Sequence, residues 1–359
     1  MTRSWRWVVP ALLLALLTST PALLAARPVR TPTVEPAALL ARIRASAPVG
    51  WSGYGESRGA LALPDIQQLG DVSRLLGSVT RYRVWWHNAV RQRVDSLSLT
   101  GEKDTATDAT GSWRWDSDVT LPLRVVGSPP VRLLEAGDLV APTLGRRLAG
   151  TADVLLTALP ARRLAGRSVP GLRLTPRHPA ATTIASVDLW ADPRTGLTLQ
   201  VDVRARGQRV PVLRSLLLDL DSQQPSLTDA NFQPRAEYAT VTRDDLAGQV
   251  DQLSPFLLPG RLGGLPRTAL IGGAVGVATF GAGFGQVLLL PLPRGYSRNL
   301  ARSLRSLGGS FQTPLLNALL VQGQDHEQRF LLAGTVPAAV LTQLSTDLRL
   351  HPLPPRVSS

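Results

Sequence analysis

The sequence predicts an α+β protein: a long antiparallel sheet, apolar on one face, followed by a smaller α+β unit. Three observations carry this. The stretch from Thr80 to Asp118, TRYRVWWHNAVRQRVDSLSLTGEKDTATDATGSWRWDSD, offers short β-rich runs (Arg81–Trp86, Arg91–Leu99, Ser112–Trp115) separated by turn-forming HNA and GEKDTATDATG segments. Successive strands with brief polar connectors form a meander, not a βαβ unit. In Leu197–Ala205, Leu197, Leu199, Val201, Val203 and Ala205 alternate with Thr198, Gln200, Asp202 and Arg204, the period of a strand with one apolar face. Composition then shifts: Trp51, Trp85, Trp86, Trp113, Trp115 and Trp190 all precede residue 200, and no tryptophan follows.

In chain order, residues 1–26 hold Arg3 and Arg6, no acid, and an apolar run from Val8 to Ala26, the n-region and h-region of an export signal. Cleavage after Ala25 or Ala26 and retention as a membrane anchor both fit, because the run reaches the ~20 residues that span a bilayer. Arg27–Pro36 is a Pro/Thr spacer. A helix then starts near Glu35-Pro36, with Leu39, Leu40 and Ile43 as its apolar stripe and Arg42 and Arg44 toward its C-terminal end. Gly50–Leu63 reads as a first strand, and Pro64–Ser78 as a surface loop or short helix. Val119–Val126 and Val131–Leu134 each read as a strand, turned at Gly127–Pro130. Gly137–Leu159 reads as a helix or lid-like segment, and Arg162–Thr175 as a hairpin turned at Ser168–Gly171. Val187–Trp190 joins the alternating strand through Ala191–Gly196, and Val210–Leu220 adds one more. Ser222–Thr242 is polar, with Pro225 and Pro234, and reads as a linker. The second unit carries a glycine-rich hairpin (Gly272–Pro291), a helix at Tyr296–Leu307, a strand at Phe330–Ala333 and a final helix, Pro337–Leu350, with Val340, Leu341, Leu344 and Leu348 on one stripe. The expected organisation is an export segment at 1–26, a sheet domain at 36–238 and a small α+β domain at 243–351.

Composition narrows the function classes. The 359 residues are 44% hydrophobic and 18% charged, as in a folded protein with an ample core. Net charge is +13, but 38 of the 39 basic residues are arginine and they are spread without a dense run. Nucleic acid is therefore not an expected partner; solvated strand faces are. Cysteine is absent, which removes disulfides, lipoprotein anchoring, thiolate metal sites and cysteine nucleophiles.

The helix at residue 36, the meander RYRVWWHNAVRQRVD…GSWRWDSD and the strand–turn–strand VDLWADPRTGLTLQVDVRARG together resemble the lipoprotein-carrier (LolA) and RseB/MucB-like family, over about residues 36–235. The FLLAGTVPAAVLTQLSTDL ending is similar to the small second domain of the RseB type. The resemblance implies a curved antiparallel half-barrel sheet whose concave apolar face is covered by helices, plus a smaller C-terminal α+β domain. It implies a lipid or acylated protein ligand, held by a carrier or by a sensor that acts on a membrane anti-sigma-type protein. On that reading Trp85, Trp86, Trp113, Trp115 and Trp190, with Leu40 and Ile43, are the candidates to lie at the ligand cavity or its rim, a tryptophan there offering large apolar area with a polar handle.

Enzyme signatures fail on their spacing. Asp325-His326-Glu327 lacks the second histidine of HExxH, because Phe330 stands there. Gly50-Trp51-Ser52-Gly53-Tyr54 lacks the last glycine of a nucleophile elbow. The sole lysine, Lys103, follows Glu102, which rules out a phosphate-binding P-loop, and Gln286 breaks the glycine motif at 281–285. Asp188, Asp202, Asp219 and Asp221 read as solvent-face residues of strands. No catalytic, metal or cofactor residue is expected, and the protein reads as a non-enzymatic, extracytoplasmic lipid-binding sensor or regulator. A lipoprotein or lipid carrier, a structural interaction module of an envelope complex, and a cell-wall hydrolase are the alternatives.

Overall fold

The computed structural model describes residues 34–64, 70–98, 101–119, 121–127, 132–232, 237–242, 256–268, 276–292, 308–323, 329–351 and 353–354. The expected export segment (1–26), the helix at 296–307 and the acidic triplet at 325–327 lie outside them. Among the described residues no helix is long and apolar enough to cross a membrane.

Twelve strands form one curved, open sheet. They are β1 (Trp51–Gly59), β2 (Val79–Trp86), β3 (Gln92–Leu97), β4 (Glu102–Asp108), β5 (Gly111–Asp116), β6 (Leu123–Val126), β7 (Val154–Leu164), β8 (Arg167–Pro176), β9 (Ile184–Ala191), β10 (Thr198–Ala205), β11 (Leu213–Asp221) and β12 (Ala239–Thr242). The spatial order is β12-β6-β5-β4-β3-β2-β1-β11-β10-β9-β8-β7, so the sheet is a half-barrel with β12 and β7 as its edges. Neighbours are antiparallel except β12, which runs parallel to β6. Among the described residues three α-helices belong to this part: α1 (Pro36–Ala45), α2 (Gly70–Gly77) and α3 (Ala141–Ala149).

α1 starts where its sequence directs. The Glu35 carboxylate accepts the Ala38 N–H at 3.0 Å, and Pro36 occupies the first turn, where a missing N–H costs nothing. Leu39, Leu40 and Ile43 then face inward and are at most 5% exposed. Together with Leu144 of α3 they fill the concave side above Leu172, Leu174, Val187, Leu189, Leu199 and Val201. Each such side chain contributes roughly 1.5–3 kcal/mol on burial. The turn after β9 locks under α1: Asp192 Oδ1 accepts the Arg194 N–H at 2.8 Å, and Gly196 (φ +73°) lies against the Arg42 carbonyl oxygen, where a Cβ would collide.

Several expectations are corrected. GEKDTATDATG is not a connector; Glu102–Asp108 is β4, paired along its length with β3 and β5. Residues 132–134 join no strand, because Arg132 is drawn into an ion pair with Asp138. Gly137–Leu159 splits into a 3-10 turn (Ala136–Leu139), α3 and the start of β7. The β7–β8 hairpin turns at Ala165-Gly166, both at positive φ (44° and 73°), as a two-residue turn between twisted strands requires; Ser168–Gly171 lies inside β8. The end of the supposed linker adds edge strand β12, and Tyr238 meets the Trp113 ring edge-on.

A second sheet holds β15 (Ala278–Ala282), β16 (Gly285–Pro291), β17 (Ser310–Gln312), β18 (Asn317–Gln322) and β19 (Arg329–Gly334), in the order β15-β16-β19-β18-β17. A two-stranded ribbon, β13 (Arg261–Leu262) and β14 (Leu265–Pro266), precedes it, and α4 (Ala338–Leu350) packs on it through Leu341, Leu344 and Leu348. β17 and β18 had no clear signal in the sequence. The two sheets meet at the β15–β16 tip: Phe284 enters the core of the large sheet, and its carbonyl accepts the Thr182 hydroxyl at 3.1 Å. The Thr183 N–H donates to the Thr335 carbonyl at 2.9 Å.

Candidate functional site

Strand alternation and register assign each side chain to a face of the large sheet. Trp51, Tyr82, Val84 and Trp86 share the concave face with Val94, and from β3 outward that face changes character. Val94 pairs with Thr105, Thr105 with Arg114, and Thr107 with Ser112, so hydroxyls replace aliphatic groups. α1 and α3 pack over the β7–β11 side, and among the described residues the 132–140 segment and the start of α3 reach over β3–β6. Beneath that roof lies a chamber of about 290 Å³. Gln92, Val94, Thr105, Thr107 and Ser112 form its floor. Arg132, Glu135, Asp138, Thr143 and Arg147 supply its roof and rim.

The roof is pinned by charge. Asp138, 4% exposed, accepts both terminal nitrogens of Arg132 at 2.7 and 2.8 Å, Arg147 Nη2 at 3.1 Å and the Glu135 N–H at 2.9 Å. Burial works against its charged form, but the Arg132 bonds prevail and hold the carboxyl below its ordinary value. Glu135 also binds Arg114 of β5, tying roof to floor. At the far end Asp108 accepts Arg124 Nη2 at 3.0 Å and the Thr110 N–H and hydroxyl, which against the opposing effect of burial hold it down at about 2.

Among the described residues, one cation beside the chamber has no carboxylate partner. Arg146, on α3 next to Arg147, lies over the Trp86 ring with its guanidinium carbon 4.6 Å from the ring centroid. Its Nη2 makes a single long contact, 3.5 Å to the Thr143 hydroxyl, and its Nη1 is buried without an acceptor. Burial pulls the group down to about 10.

The sequence-selected residues fall in two places. Trp86, Leu40 and Ile43 lie in the concave core, 4%, 5% and 0% exposed. Trp85, Trp113 and Trp115 lie on the opposite, convex face, so the expectation that they border the concave cavity is corrected. Alternation turns Trp85 away from Trp86, and pairing aligns Arg93, Ala106, Trp113 and Arg124 in the same row. There Trp85 stacks with Arg93 (5.2 Å), and Trp113 with Arg124 (5.0 Å) and edge-on with Tyr238 (4.8 Å). Trp190 is also on the convex side, buried under Arg162 (3.6 Å) with its Nε1–H donated to the Pro160 carbonyl.

Asp188 and Asp202, expected to face solvent, are 1% and 0% exposed. Asp188 takes both donors of Arg173 at 2.6 and 2.9 Å and is bound by Arg204; Asp202 takes Arg214 at 2.8 and 3.0 Å. Burial opposes the charge of Asp188, yet the Arg173 and Arg204 bonds keep its carboxyl below the usual range. On the same face Asp95, Glu102 and Asp104 approach within 4.8 Å, but the Arg93 guanidinium holds the cation position, 2.7 Å from Asp95 and 2.9 Å from Asp104. Many arginines read as solvated therefore end on carboxylates.

The residues that sequence reasoning missed are Gln92, Thr105, Thr107 and Arg146. A signal existed: Lys103, Thr105 and Thr107 alternate with Asp104, Ala106 and Asp108 through β4.

No protein-family model matches the chain, and no curated protein matches it in sequence. Solved structures are similar in overall arrangement. The crystal structure of MucB aligns with a TM-score of 0.45 at 17% identity, over 87% of this chain and 96% of that one. The Pseudomonas aeruginosa MucA/MucB complex aligns at 0.49 and 16%, over 89% and 98%. A LolA-superfamily protein from Nitrosomonas europaea aligns at 0.25 and 13%, over 56% and 99%. These are likenesses of strand arrangement at low identity, and what the chain binds is read from its own side chains.

Proposed function

We propose that the chain is an extracytoplasmic binding protein without enzymatic activity, an RseB-like sensor or regulator. It takes the polar part of a lipid or acylated ligand into the chamber under the 132–147 roof and acts on a membrane partner of anti-sigma type. The chamber carries this reading: the half-barrel is filled by helices on one side and left with a polar, roofed space on the other. Its lining of hydroxyls, an amide and fixed charges suits a polar head group better than an acyl chain, which shifts the ligand expectation from tail to head. The three described histidines support a non-catalytic reading: His87 contacts the Pro225 carbonyl, while His178 and His351 sit beside carboxylates at the surface, each about three-quarters exposed. The partner class comes from the sequence resemblance.

A structural interaction module is the second reading, favoured by the close packing of Leu39, Leu40 and Ile43, which leaves the covered side full. Native mass spectrometry of the protein purified from its envelope, followed by lipid extraction, separates the two. A stoichiometric acyl-bearing ligand, lost in a chamber-filling Thr107→Trp variant, is the expected result. A ligand-free protein that also ignores added lipids and acyl peptides would overturn the binding reading in favour of the module.

A further inference from the structure

Arginines with similar exposure nearby each end on a carboxylate: Arg93 on Asp95 and Asp104, Arg124 on Asp108, Arg132 on Asp138. Arg146 ends on none among the described residues. Its indole neighbour attracts the cation through the π face but gives the N–H groups no good acceptor. A second buried donor without an acceptor, Trp51 Nε1, belongs to the side chain paired across the strands with Trp86. A half-buried cation with no carboxylate and a buried Nη1 that meets no acceptor is costly in a folded protein, as is a buried indole donor left unmet, and the cation marks a position where an acceptor belongs. The position adjoins the chamber: Gln92, paired with Trp86, and Thr143, in contact with Arg146, both line it.

We propose that Arg146 is the counter-ion for an oxyanion, a phosphate or carboxylate group, that enters the chamber at its Gln92–Thr143 end. This rests on the chamber being the ligand site and names the chemistry of what it takes: the ligand carries at least one anionic oxygen there. The hydroxyl-lined floor accommodates the remainder of a polar head, and the Asp138 pairs keep Arg132 and Arg147 from competing for the anion.

The test uses the full chain and three soluble probes: inorganic phosphate, hexanoate and dihexanoyl phosphatidic acid, with dihexanoyl phosphatidylcholine as a control without net charge. Binding is followed by tryptophan fluorescence, since Trp86 lies under Arg146, and by the shift in Tm. At least one oxyanion probe is expected to bind saturably, Arg146→Gln to weaken it at least about tenfold, and Arg146→Lys to restore most of the loss. A preference for phosphatidic acid over phosphate assigns the oxyanion to a lipid head; equal binding assigns it to a free anion. The proposal is overturned when none of the oxyanions binds the native chain, or when Arg146→Gln, with near-UV circular dichroism like the native chain, binds as tightly. Thr107→Trp separates the two readings. Binding that depends on Arg146 but survives Thr107→Trp leaves the Arg146 site standing and removes the chamber as its setting. Binding abolished by Thr107→Trp but indifferent to Arg146→Gln does the reverse.

Discussion

The two halves of the large sheet share strand geometry and differ in what each face meets. In β7–β11 the concave face lies under α1 and α3, and the convex face carries a lattice of Asp188, Asp202, Arg173, Arg204 and Arg214 beside the buried Trp190. In β9 and β10, at the centre of this half, both faces are out of water, as their nearly unbroken burial shows. In β3–β6 the concave face is a hydroxyl floor, and the convex face carries two arginines stacked on half-buried tryptophans, Arg124 on Trp113 and Arg93 on Trp85 of the adjoining β2. Helix cover accounts for the contrast. Where a helix fills the concavity the strands can carry aliphatics inward; where the cover is a short segment tied down by ion pairs, space remains and the floor must be polar. Close packing is concentrated in one half, and the chamber in the other.

The largest expected difference is in core truncation. Ile43→Ala on the filled side should cost about 3 kcal/mol in urea unfolding, because the site is fully buried and cannot collapse freely. A cost under about 1 kcal/mol would mean that the filled half is loosely packed. Asp202→Ala should cost about 3 kcal/mol, the lower end for a broken buried pair, since the orphaned Arg214 can still reach water. An unchanged unfolding midpoint would show that the convex lattice does not stabilise the sheet.

A smaller effect comes from the convex face of the other half. Burial, and then the charge of Asp95, push the Asp104 carboxyl up to about 7. With the folded-state value above the unfolded value of ~3.9, the folded protein holds this proton more tightly. This contribution is therefore fully present below about pH 4 and is lost as the pH rises toward 7. Tm is expected to be lower at pH 8 than at pH 5, with Asp104→Asn shrinking that difference; a variant with the same pH dependence as the native chain would assign it elsewhere. The smallest effect is Thr107→Val on the chamber floor, within about 0.5 kcal/mol of the native stability, against the large cost at Ile43. A loss of several kcal/mol there would show that the floor hydroxyls are structural.

Legibility in the sequence followed the same division. The filled half was readable because its signals are local: an acid and a proline opening α1, apolar alternation along β10, and Asp-Pro-Arg-Thr-Gly at a tight turn. Its convex polar row was misjudged because alternation distinguishes two faces but does not say whether the second is wet; Asp188 and Asp202 are buried by arginines from neighbouring strands. β4 was misread because Asp, Thr and Gly are common in turns, and only pairing on both sides makes a strand of them. The tryptophans drew attention by size, yet strand parity alone puts Trp85 and Trp86 on opposite faces. Arg146 could not be found in advance, since nothing in its local sequence says that Arg132 and Arg147 take up Asp138 while Arg114 takes up Glu135.

Strand β1 sits in the middle of the sheet with partners of very different origin. One edge pairs with β2, a few turns of chain away; the other pairs with β11, so that Ser52 meets Asp221. A chain made from its N-terminus onward therefore carries an unpaired inner edge, Trp51–Gly59, until residue 221 is available. Folding by so distant a pairing is slow, and the incomplete sheet offers that edge to any other extended chain. The meander on one side of β1 can form early, but its place in the molecule is settled only when the last long strand arrives.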